Sequence, residues 1–409
     1  MMDTKKHILV ISQYFYPEEF RINDICVEWV KRGYKVTVVT GIPNYPQGRF
    51  YKGYGIWQRR KECYNGVEVV RIPIIPRGTK TIGLAFNYLS YVVSGFVWNL
   101  FTRIKADHVF VFQMSPATQA LLGVWYARKH RVQCCMYVQD LWPESITEIT
   151  GIKNTKVIGL ISRMMDYIYR RCDTILATSP SFVHHIEKRE SSISVNGKSK
   201  VMYWPQYAEE FYVPVERKDM PDLKDDGVFK IMFTGNIGYA QGLDILPRTA
   251  EILQANGVQC QFVLVGNGRY RETMERDIAE RGVENMFCFT GTKLPTQIPA
   301  YMALADMAFL SFKRSELFEM TIPAKLQSYM ACGNPILAVA DGETARMIEE
   351  AHCGFVCGFE EPEKLAECIT KCMEDREALA DMGNSARQYC QIHFDKKQLM
   401  DYYEINLLK

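Results

Sequence analysis

Short apolar runs alternate with amphipathic segments along the chain. Residues 7–12 (HILVIS) form a continuous apolar run, which is typical of a buried strand. The segment from Asp24 to Arg32 has the spacing of an amphipathic helix that Gly33 would end, and residues 34–40 (YKVTVVT) form a second apolar run. A strand, a helix and a strand in this order predict a parallel sheet with helices on both of its faces.

This pattern recurs in two series. In the first series we predict further strands at 67–74, 108–113, 133–140 and 174–179, and in the second at 229–235, 261–266, 286–291, 307–312 and 335–340. Residues 206–227 lie between the series, are rich in Pro, Asp, Glu and Lys, and lack periodicity, which indicates a linker. We therefore predict an α/β fold with two doubly wound, Rossmann-like domains, 1–205 and 228–393, which face each other across a cleft. Ligands would bind at the carboxyl ends of the strands.

Composition and charge narrow the class of protein. The chain is 47% hydrophobic and 23% charged, as globular proteins are, and its formal charge of +2 lacks the basic excess of a nucleic-acid-binding protein. We recognise no secretion signal at the amino end, so the thirteen cysteines indicate reduced, buried thiols in a cytoplasmic protein. Cys368 and Cys372 lie on a predicted helix rather than in a zinc knuckle with Cys353 and Cys357, so we expect no metal.

Residues 81–105 are a candidate membrane element. No charge lies between Thr81 and Thr102, and the segment is long enough to span a bilayer. Polar residues interrupt it, however, and the first domain needs a helix at this place, so we favour a core or interfacial helix over a span. The basic residues near it could attract an anionic lipid surface or form an ordinary solvated face; they are Arg59, Arg60, Lys61, Arg77, Lys80, Arg103 and Lys105.

The segment from Glu319 to Pro335 (EMTIPAKLQSYMACGNP) predicts a helix with an anion site at its amino end. Thr321 is a candidate N-cap, Pro323 suits the first turn, and Gly333 would end the helix. Free N–H groups and the helix dipole would meet a phosphate at residues 321–325, where Lys325 can add a full positive charge.

Glycines follow three predicted strands of the second domain. Residues 233–242 (FTGNIGYAQG), 264–268 (LVGNG) and 290–293 (TGTK) each place glycines in a turn after a strand. Glycine lets backbone N–H groups approach a ligand closely, although many such turns carry glycine for packing alone. The candidate ligand-binding residues of these turns are Gly235, Asn236, Gly238, Gln241, Gly266, Gly268 and Lys293.

These motifs together resemble the nucleotide-sugar domain of retaining glycosyltransferases of family 4, which have the GT-B fold. The resemblance is carried by G-N-I-G-x-x-Q-G (235–242), V-G-x-G (265–268) and I-P-A-K-L-Q-S-Y-M-A-C-G-N-P (322–335). In the first half, residues 12–25, 40–55 and 138–145 are similar to the acceptor-side loops of the branch that builds capsule and O-antigen, often described as N-acetyl-L-fucosamine transferases. The resemblance implies that residues 394–409 cross back onto the first domain.

The resemblance implies a retaining transferase that moves a hexose or N-acetylhexosamine from a UDP-sugar to a polyprenyl-diphosphate-linked oligosaccharide. It would work at the cytoplasmic face of the membrane as a peripheral protein, in the synthesis of capsule, O-antigen or exopolysaccharide. Catalysis would need no cofactor and no metal, because fixed positive groups would replace a divalent ion.

The chain departs from the family pattern at several site positions. Asn236 and Gln241 stand where many members have an Arg and a Lys that hold the diphosphate. The paired glutamates of the family fall near Met320 and Ser328, and the alternatives one position earlier are Glu319 and Gln327. The resemblance gives either Glu319 or Gln327 the sugar hydroxyls or the ribose. It also places Thr321, Ile322 and Ser328 at the donor.

We expect Arg21 and Lys325 to compensate for the missing basic pair by stabilising the leaving diphosphate. Arg21 could instead form a surface ion pair with Glu18 or Glu19, and Lys325 could be a solvated helix charge. Asp140, at the end of a predicted strand, could orient or deprotonate the acceptor hydroxyl, or cap the next turn. In the retaining mechanism that the resemblance implies, the departing phosphate itself takes the acceptor proton.

Four residues on first-domain loops are candidates for binding the acceptor. They are Asn44, Tyr45, Gln113 and Ser115, and each could equally be ordinary turn chemistry. Two other functions stay open for the whole chain. One is a UDP-sugar 2-epimerase with the same fold, and the other is a non-catalytic partner subunit of a glycosyltransferase.

Overall fold

The computed structural model describes residues 5–78, 81–152, 154–190 and 199–408. The chain divides into two compact units, the first made of Met1–Trp204 with Tyr403–Lys409, and the second of Pro205–Tyr402. Each unit has a sheet flanked by helices, as the alternating pattern predicts.

The first unit contains one sheet of eight strands among its described residues, in the order β3-β4-β2-β1-β5-β6-β7-β8. The strands are β1 (His7–Ile11), β2 (Lys35–Thr40), β3 (Lys61–Tyr64), β4 (Val67–Arg71), β5 (His108–Gln113), β6 (Gln133–Val138), β7 (Thr174–Ala177) and β8 (Val201–Tyr203). The helices are α1 (Arg21–Lys31), α2 (Thr81–Phe101), α3 (Ala120–His130), α4 (Glu144–Thr150), α5 (Thr155–Tyr169) and α6 (Pro180–Glu190). All pairings are parallel except that of the edge strand β3 with β4.

The second unit contains six parallel strands among its described residues, in the order β11-β10-β9-β12-β13-β14. They are β9 (Phe229–Thr234), β10 (Cys260–Val265), β11 (Phe287–Phe289), β12 (Met307–Ser311), β13 (Ile336–Val339) and β14 (Gly354–Cys357). The helices are α7 (Ile245–Ala255), α8 (Arg271–Arg281), α9 (Ile298–Met302), α10 (Glu316–Glu319), α11 (Ala324–Cys332), α12 (Gly342–Glu350), α13 (Pro362–Glu374), α14 (Arg376–His393) and α15 (Lys396–Leu407).

The strand order creates a switch point in each sheet, where the connections leave in opposite directions. In the first unit it lies at β1, between β2 and β5, and in the second at β9, between β10 and β12. Ligands of open parallel sheets bind beside such points, at the carboxyl ends of the strands. The loops after β1 and β9 are therefore the places to look for function.

The structure corrects several predicted boundaries. Three strands were missed, β3, β8 and β14, because each has only three or four residues and lies at a sheet edge. Helix α1 begins at Arg21 rather than at Asp24. Residues 206–227 are not a free linker, since Leu223 is buried and the Tyr301 hydroxyl donates to Asp222 at 2.6 Å within the second unit.

The last helix ends in the core of the first unit. Tyr403 is fully buried, with its ring centroid 5.4 Å from that of Trp29 and 5.5 Å from those of Phe110 and Trp204. Its hydroxyl lies 2.8 Å from Nε2 of His108, and burial lowers the pKa of His108 to about 4, which keeps the imidazole neutral. The return to the first unit thus begins at Tyr403, later than the predicted position 394.

Helix α2 occupies the crossover between β4 and β5, as predicted, but it is not a core helix. Residues Ile82–Phe101 are long and apolar enough to cross a membrane, with a mean hydropathy of 1.2, and 22% of this stretch is buried. Its buried positions include Asn87, Tyr91 and Asn99, whereas large apolar side chains point outward. Lys80, one of the basic residues noted near this helix, lies outside the described residues.

The burial of Tyr403 predicts that the carboxyl-terminal helix stabilises the first unit. Replacing Tyr403 by Ala should cost about 3–5 kcal/mol, because it leaves a cavity among aromatic rings. Hydrogen exchange should accelerate in β1 and β5 and stay unchanged in β9 and β10. Ile405→Ala, at a 55% exposed position of the same helix, is the control. Equal acceleration in both sheets, or none in β1 and β5, would contradict this prediction.

Candidate active site

Two glycine loops meet where β9 and β10 end. Gly235 and Gly266 follow these strands with φ of +123° and +153°. A Cβ at Gly266 would lie 1.8 Å from the carbonyl oxygen of Gly235, and one at Gly268 would lie 2.1 Å from that of Ile237. The two loops therefore approach closely enough to require glycine, and they expose Gly235 and Asn236 at the edge of the sheet.

The start of α11 lies against the first of these loops. The helix begins at Ala324 with Pro323 as its N-cap, so the predicted cap, Thr321, is wrong; its hydroxyl donates instead to the carbonyl oxygen of Leu317 at 2.7 Å. Pro323 offers no side-chain acceptor, and the first N–H groups of an α-helix have no partner within it. The amino end of α11 thus has the uncapped N–H groups that favour an anion, and anion binding there stays a prediction.

Lys325 brings a positive charge to this place. A Cβ at Gly235 would lie 3.0 Å from Cε of Lys325, which shows how closely the lysine stem passes over the loop. Its ammonium lies 3.9 Å from the centroid of the Phe233 ring and donates to Oε1 of Gln241. Gln241, predicted for the donor, is therefore in direct contact with Lys325.

The surroundings of Lys325 disfavour its charge. Burial lowers the pKa of Lys325 to about 7. No carboxylate among the described residues pairs with the ammonium, so nothing described in the second unit supplies the opposite charge. An anion bound at the start of α11 would supply it and raise the pKa again.

A tether between β9 and α11 fixes this geometry. Tyr329, one turn after Lys325, is fully buried, and its hydroxyl accepts the N–H of Thr234 at 2.8 Å. The carbonyl oxygen of Gln241 accepts from the Ser311 hydroxyl at 2.5 Å, which fastens the loop to β12. The structure thus unites Gly235, Gln241 and Lys325, while Gly238 lies on the same loop.

Several predicted donor residues lie elsewhere. Ile322, Gln327 and Ser328 are buried, and the Ser328 hydroxyl donates to the carbonyl oxygen of Ala324 at 3.1 Å. The amide nitrogen of Gln327 lies 2.9 Å from the carbonyl oxygen of Pro323. Their side chains face the interior of the unit rather than a ligand, which corrects the prediction for these three residues.

Lys293 and Glu319 differ in whether their side chains are available to a ligand. Lys293 forms an ion pair with Asp222 at 2.5 Å and lies 5.3 Å from the ring centroid of Tyr301, so its charge is already compensated. Glu319 ends α10, is partly exposed, and has no hydrogen-bonding partner for its carboxylate among the described residues. Of the two alternatives for the sugar, Glu319 is available and Gln327 is not.

In the first unit, a second group of polar side chains surrounds Asp140. Its Oδ2 accepts the N–H of Ser115 at 2.7 Å, so it holds the loop after β5 rather than capping the next turn. Burial raises the pKa of Asp140, and the hydrogen bonds from Ser115 partly offset this effect. The indole Nε1 of Trp142 donates to the Ser115 hydroxyl at 3.0 Å. Gln113 is fully buried and donates to the carbonyl oxygen of Asp140 at 3.1 Å. It therefore supports the backbone at Asp140 rather than contacting an acceptor substrate.

The loop with Asn44 and Tyr45 is held by a buried carboxylate. Oε1 of Glu18 accepts the N–H of Asn44 at 2.8 Å and that of Tyr45 at 2.7 Å. Burial raises the pKa of Glu18 to about 7, and these N–H groups oppose the rise. Asn44 is fully buried and cannot contact an acceptor substrate, which corrects its prediction, whereas Tyr45 is 36% exposed.

Arg21 is the first residue of α1 and is partly exposed; its part in transfer stays a prediction.

The sequence does not predict the roles of three residues around these loops. Glu18 anchors the loop at Asn44 and Tyr45, Trp142 donates to Ser115, and the ring of Phe233 lies under the ammonium of Lys325. The signal for Glu18 was its place between aromatic residues in the loop after the first strand. The signal for Trp142 was its position two residues after Asp140. Phe233 lies inside a predicted strand, and nothing in the sequence distinguishes it from a core residue.

Comparison with known proteins agrees with this division into two units. A family model described as "Glycosyl transferase 4-like domain" matches residues 19–192, and one described as "Glycosyl transferases group 1" matches residues 215–389. Among curated proteins, the putative colanic acid biosynthesis glycosyl transferase WcaI of Escherichia coli (strain K12) is 24% identical over 391 residues, which cover 91% of this chain and 92% of the relative.

Solved structures share the architecture. Sucrose-phosphate synthase from Thermosynechococcus elongatus superposes with a TM-score of 0.74 at 14% identity and covers 98% of both chains. Anabaena HepE in complex with UDP-glucose gives a TM-score of 0.67 at 16% identity, covering 98% of this chain and 100% of the other. With a family model on each unit and this shared two-domain fold, the chain belongs to the glycosyltransferases of the family 4, GT-B type.

Proposed function

We propose that the protein is a retaining glycosyltransferase that moves a hexosyl or N-acetylhexosaminyl group from a UDP-sugar to a lipid-linked oligosaccharide during the synthesis of a cell-surface polysaccharide. The observation that carries this proposal is the ammonium of Lys325, which lies over Gly235 at the uncapped start of α11 without a carboxylate partner among the described residues. A pyrophosphate fits these features, since it offers the negative charge that this site lacks.

The same site would stabilise the departing nucleoside diphosphate. Charge develops on the leaving phosphate as the bond to the sugar breaks, and each preorganised donor at such a position is worth roughly 3 kcal/mol in the transition state. Lys325 and the first N–H groups of α11 would supply these donors. In this proposal Glu319 holds hydroxyls of the donor sugar, and the departing phosphate takes the proton of the acceptor hydroxyl.

The relatives support a polysaccharide function and a UDP-linked donor. WcaI is named for colanic acid biosynthesis, and HepE has been solved with UDP, with UDP and glucose, and with UDP-glucose. Other relatives are named as GDP-mannose-dependent mannosyltransferases, but they match 36% of this chain. We therefore assign UDP, and we propose a polyprenyl-diphosphate-linked acceptor and a peripheral location at the cytoplasmic membrane face.

A donor screen tests this assignment. We expect UDP and UDP-sugars to raise the melting temperature of the protein more than GDP and GDP-sugars do, because binding to the native state alone stabilises it. Transfer should then be measured with the stabilising UDP-sugar and a prenyl-linked acceptor. A preference for GDP would overturn the assignment of the base, and C2 epimerisation of UDP-N-acetylglucosamine without acceptor would favour the epimerase.

Lys325→Met tests the cation in the site, since methionine keeps an apolar stem over Gly235 and Phe233. We expect turnover to fall by about 10²-fold, with a smaller change in KM for the donor, because the charge is needed most in the transition state. Lys371→Met, at an exposed lysine of α13, is the matched control and should leave turnover unchanged. Unchanged turnover in Lys325→Met would remove Lys325 from the mechanism.

The lowered pKa of Lys325 predicts a pH dependence of UDP binding. The ammonium is charged in the free protein below about pH 7, and a bound pyrophosphate raises its pKa. Affinity should therefore be greatest below pH 7 and fall as the pH rises above 7, by up to about tenfold per unit.

Calorimetry from pH 6 to 9 measures this dependence. The Lys325→Met curve serves as the control, because it contains the titration of the nucleotide itself but not that of Lys325. Parallel curves for the wild type and the variant would contradict the prediction.

A further inference from the structure

Helix α2 is built with its polar side facing inward. Asn87 is fully buried, accepts from the Gln13 amide at 2.7 Å and donates to the carbonyl oxygen of Ile75 at 2.6 Å. The hydroxyl of Tyr91, also fully buried, donates to the carbonyl oxygen of Val39 at 3.1 Å. These bonds attach the helix to the first unit without using its apolar side chains.

The apolar side chains of α2 face outward instead. At least 48% of each of these residues is exposed: Ile82, Phe86, Leu89, Val93, Phe96, Val97, Leu100 and Phe101. Their spacing of three and four residues places most of them along one stripe of the helix. An apolar stripe of this length on a folded surface marks a binding site rather than chance exposure.

Part of this stripe forms one wall of a groove. The groove has a volume of about 1090 Å³ and runs between α2 and strands β3 and β4. Its apolar walls are formed by Val93, Val97, Trp98, Phe101 and Ile104 on the helix side and by Val69, Val70, Ile72 and Pro73 on the sheet side. A ligand cleft of about 300–1,000 Å³ holds a small organic molecule, so this groove has room for a long apolar chain.

The charges at the rim of the groove are predominantly positive. Arg60, Lys61 and Arg103 line it together with Glu62 and Glu68. Both acids are already paired, Glu62 with Arg71 and Glu68 with Lys35, whereas Lys61 and Arg103 have no carboxylate partner among the described residues. The rim therefore favours an anionic head on the apolar chain.

One end of the groove opens at the carboxyl edge of the sheet, beside β3 and β4. Arg60 donates to the carbonyl oxygen of Arg71, the last residue of β4, which places it at the carboxyl edge of the sheet. On α2, Val93 follows Tyr88 by five residues, which is about 7.5 Å along the helix. The Tyr88 ring centroid is 6.5 Å from that of Trp142, the partner of Ser115.

We propose that this groove binds the hydrocarbon chain of a prenyl phosphate, the lipid part of the acceptor, with its phosphate at Arg60 and Lys61 and its chain along Val97 and Phe101. The assignment rests on the proposed function, which supplies a lipid-linked acceptor. It adds the place at which the lipid binds, and it explains why apolar side chains line an open groove rather than a core.

The test uses farnesyl phosphate below its micelle concentration, with binding measured by calorimetry on the full chain. Val97→Glu places a charge in the groove, and Leu89→Glu places the same charge on the exposed stripe of α2 outside it. We expect binding to weaken at least tenfold in Val97→Glu and to stay unchanged in Leu89→Glu. UDP binding should be unchanged in both variants, because the UDP site lies in the second unit. Hydrogen exchange in β1 and β5 that matches the wild type shows that the first unit, which carries both substitutions, is folded.

A second pair of variants tests the anionic head. Lys61→Gln should reduce the preference for farnesyl phosphate over farnesol, whereas Lys105→Gln, at an exposed lysine outside the groove, should not. Wild-type protein that binds UDP but not farnesyl phosphate would overturn the groove assignment and leave the proposed transferase standing. Equal loss of farnesyl phosphate binding in Val97→Glu and Leu89→Glu would overturn it too, since the lipid would then bind the whole stripe. If the wild-type protein did not bind UDP, this result would instead count against the proposed function.

Discussion

The close approach of Lys325 to Gly235 is the contact on which the chemistry proposed for the second unit depends. It is possible because a glycine ends the loop at β9 and because Tyr329 ties α11 to Thr234 of the same strand. Burial at this place destabilises the charged ammonium unless an anion is nearby. The site therefore favours a bound phosphate. The proposed site therefore combines a helix dipole, free N–H groups and one side-chain cation whose charge a bound anion would stabilise.

Asn236 and Gln241, the positions at which the resemblance implies a basic pair, are neutral in this chain. The structure shows how one of them is used, since Oε1 of Gln241 accepts a hydrogen bond from Lys325 and orients it. A positive residue at position 241 would instead repel Lys325. Gln241 and Lys325 are thus compatible neighbours. The diphosphate site proposed above would use this one lysine in place of a basic pair.

The first unit uses buried polar groups to hold loops rather than to bind ligands. Glu18 fixes the loop at Asn44 and Tyr45, and Gln113 braces Asp140. In the same way a buried asparagine anchors α2, and because the inward face of that helix is polar its apolar residues are left outside. Polar anchoring from within thus produces both the loops around Asp140 and the groove proposed for the lipid.

The sequence could predict what depends on backbone pattern, but not the direction of side chains. Central strands such as β5, with every side chain buried, appear as continuous apolar runs, and Gly235 and Gly266 were identified because positive φ requires glycine. Gln327 was misplaced because its amide turns back onto its own helix, which no periodicity reveals. Lys293 was misassigned because its partner, Asp222, lies far away in sequence, in a segment that looked like a linker.

The most direct test of the anion site is an NMR titration of the Lys325 side chain, with labelled lysine and with Lys325→Met to assign the signal. We expect a pKa near 7 in the free protein and a clearly higher value when UDP is bound. A pKa of about 10.4, the value of an unperturbed lysine, that UDP does not change would contradict it.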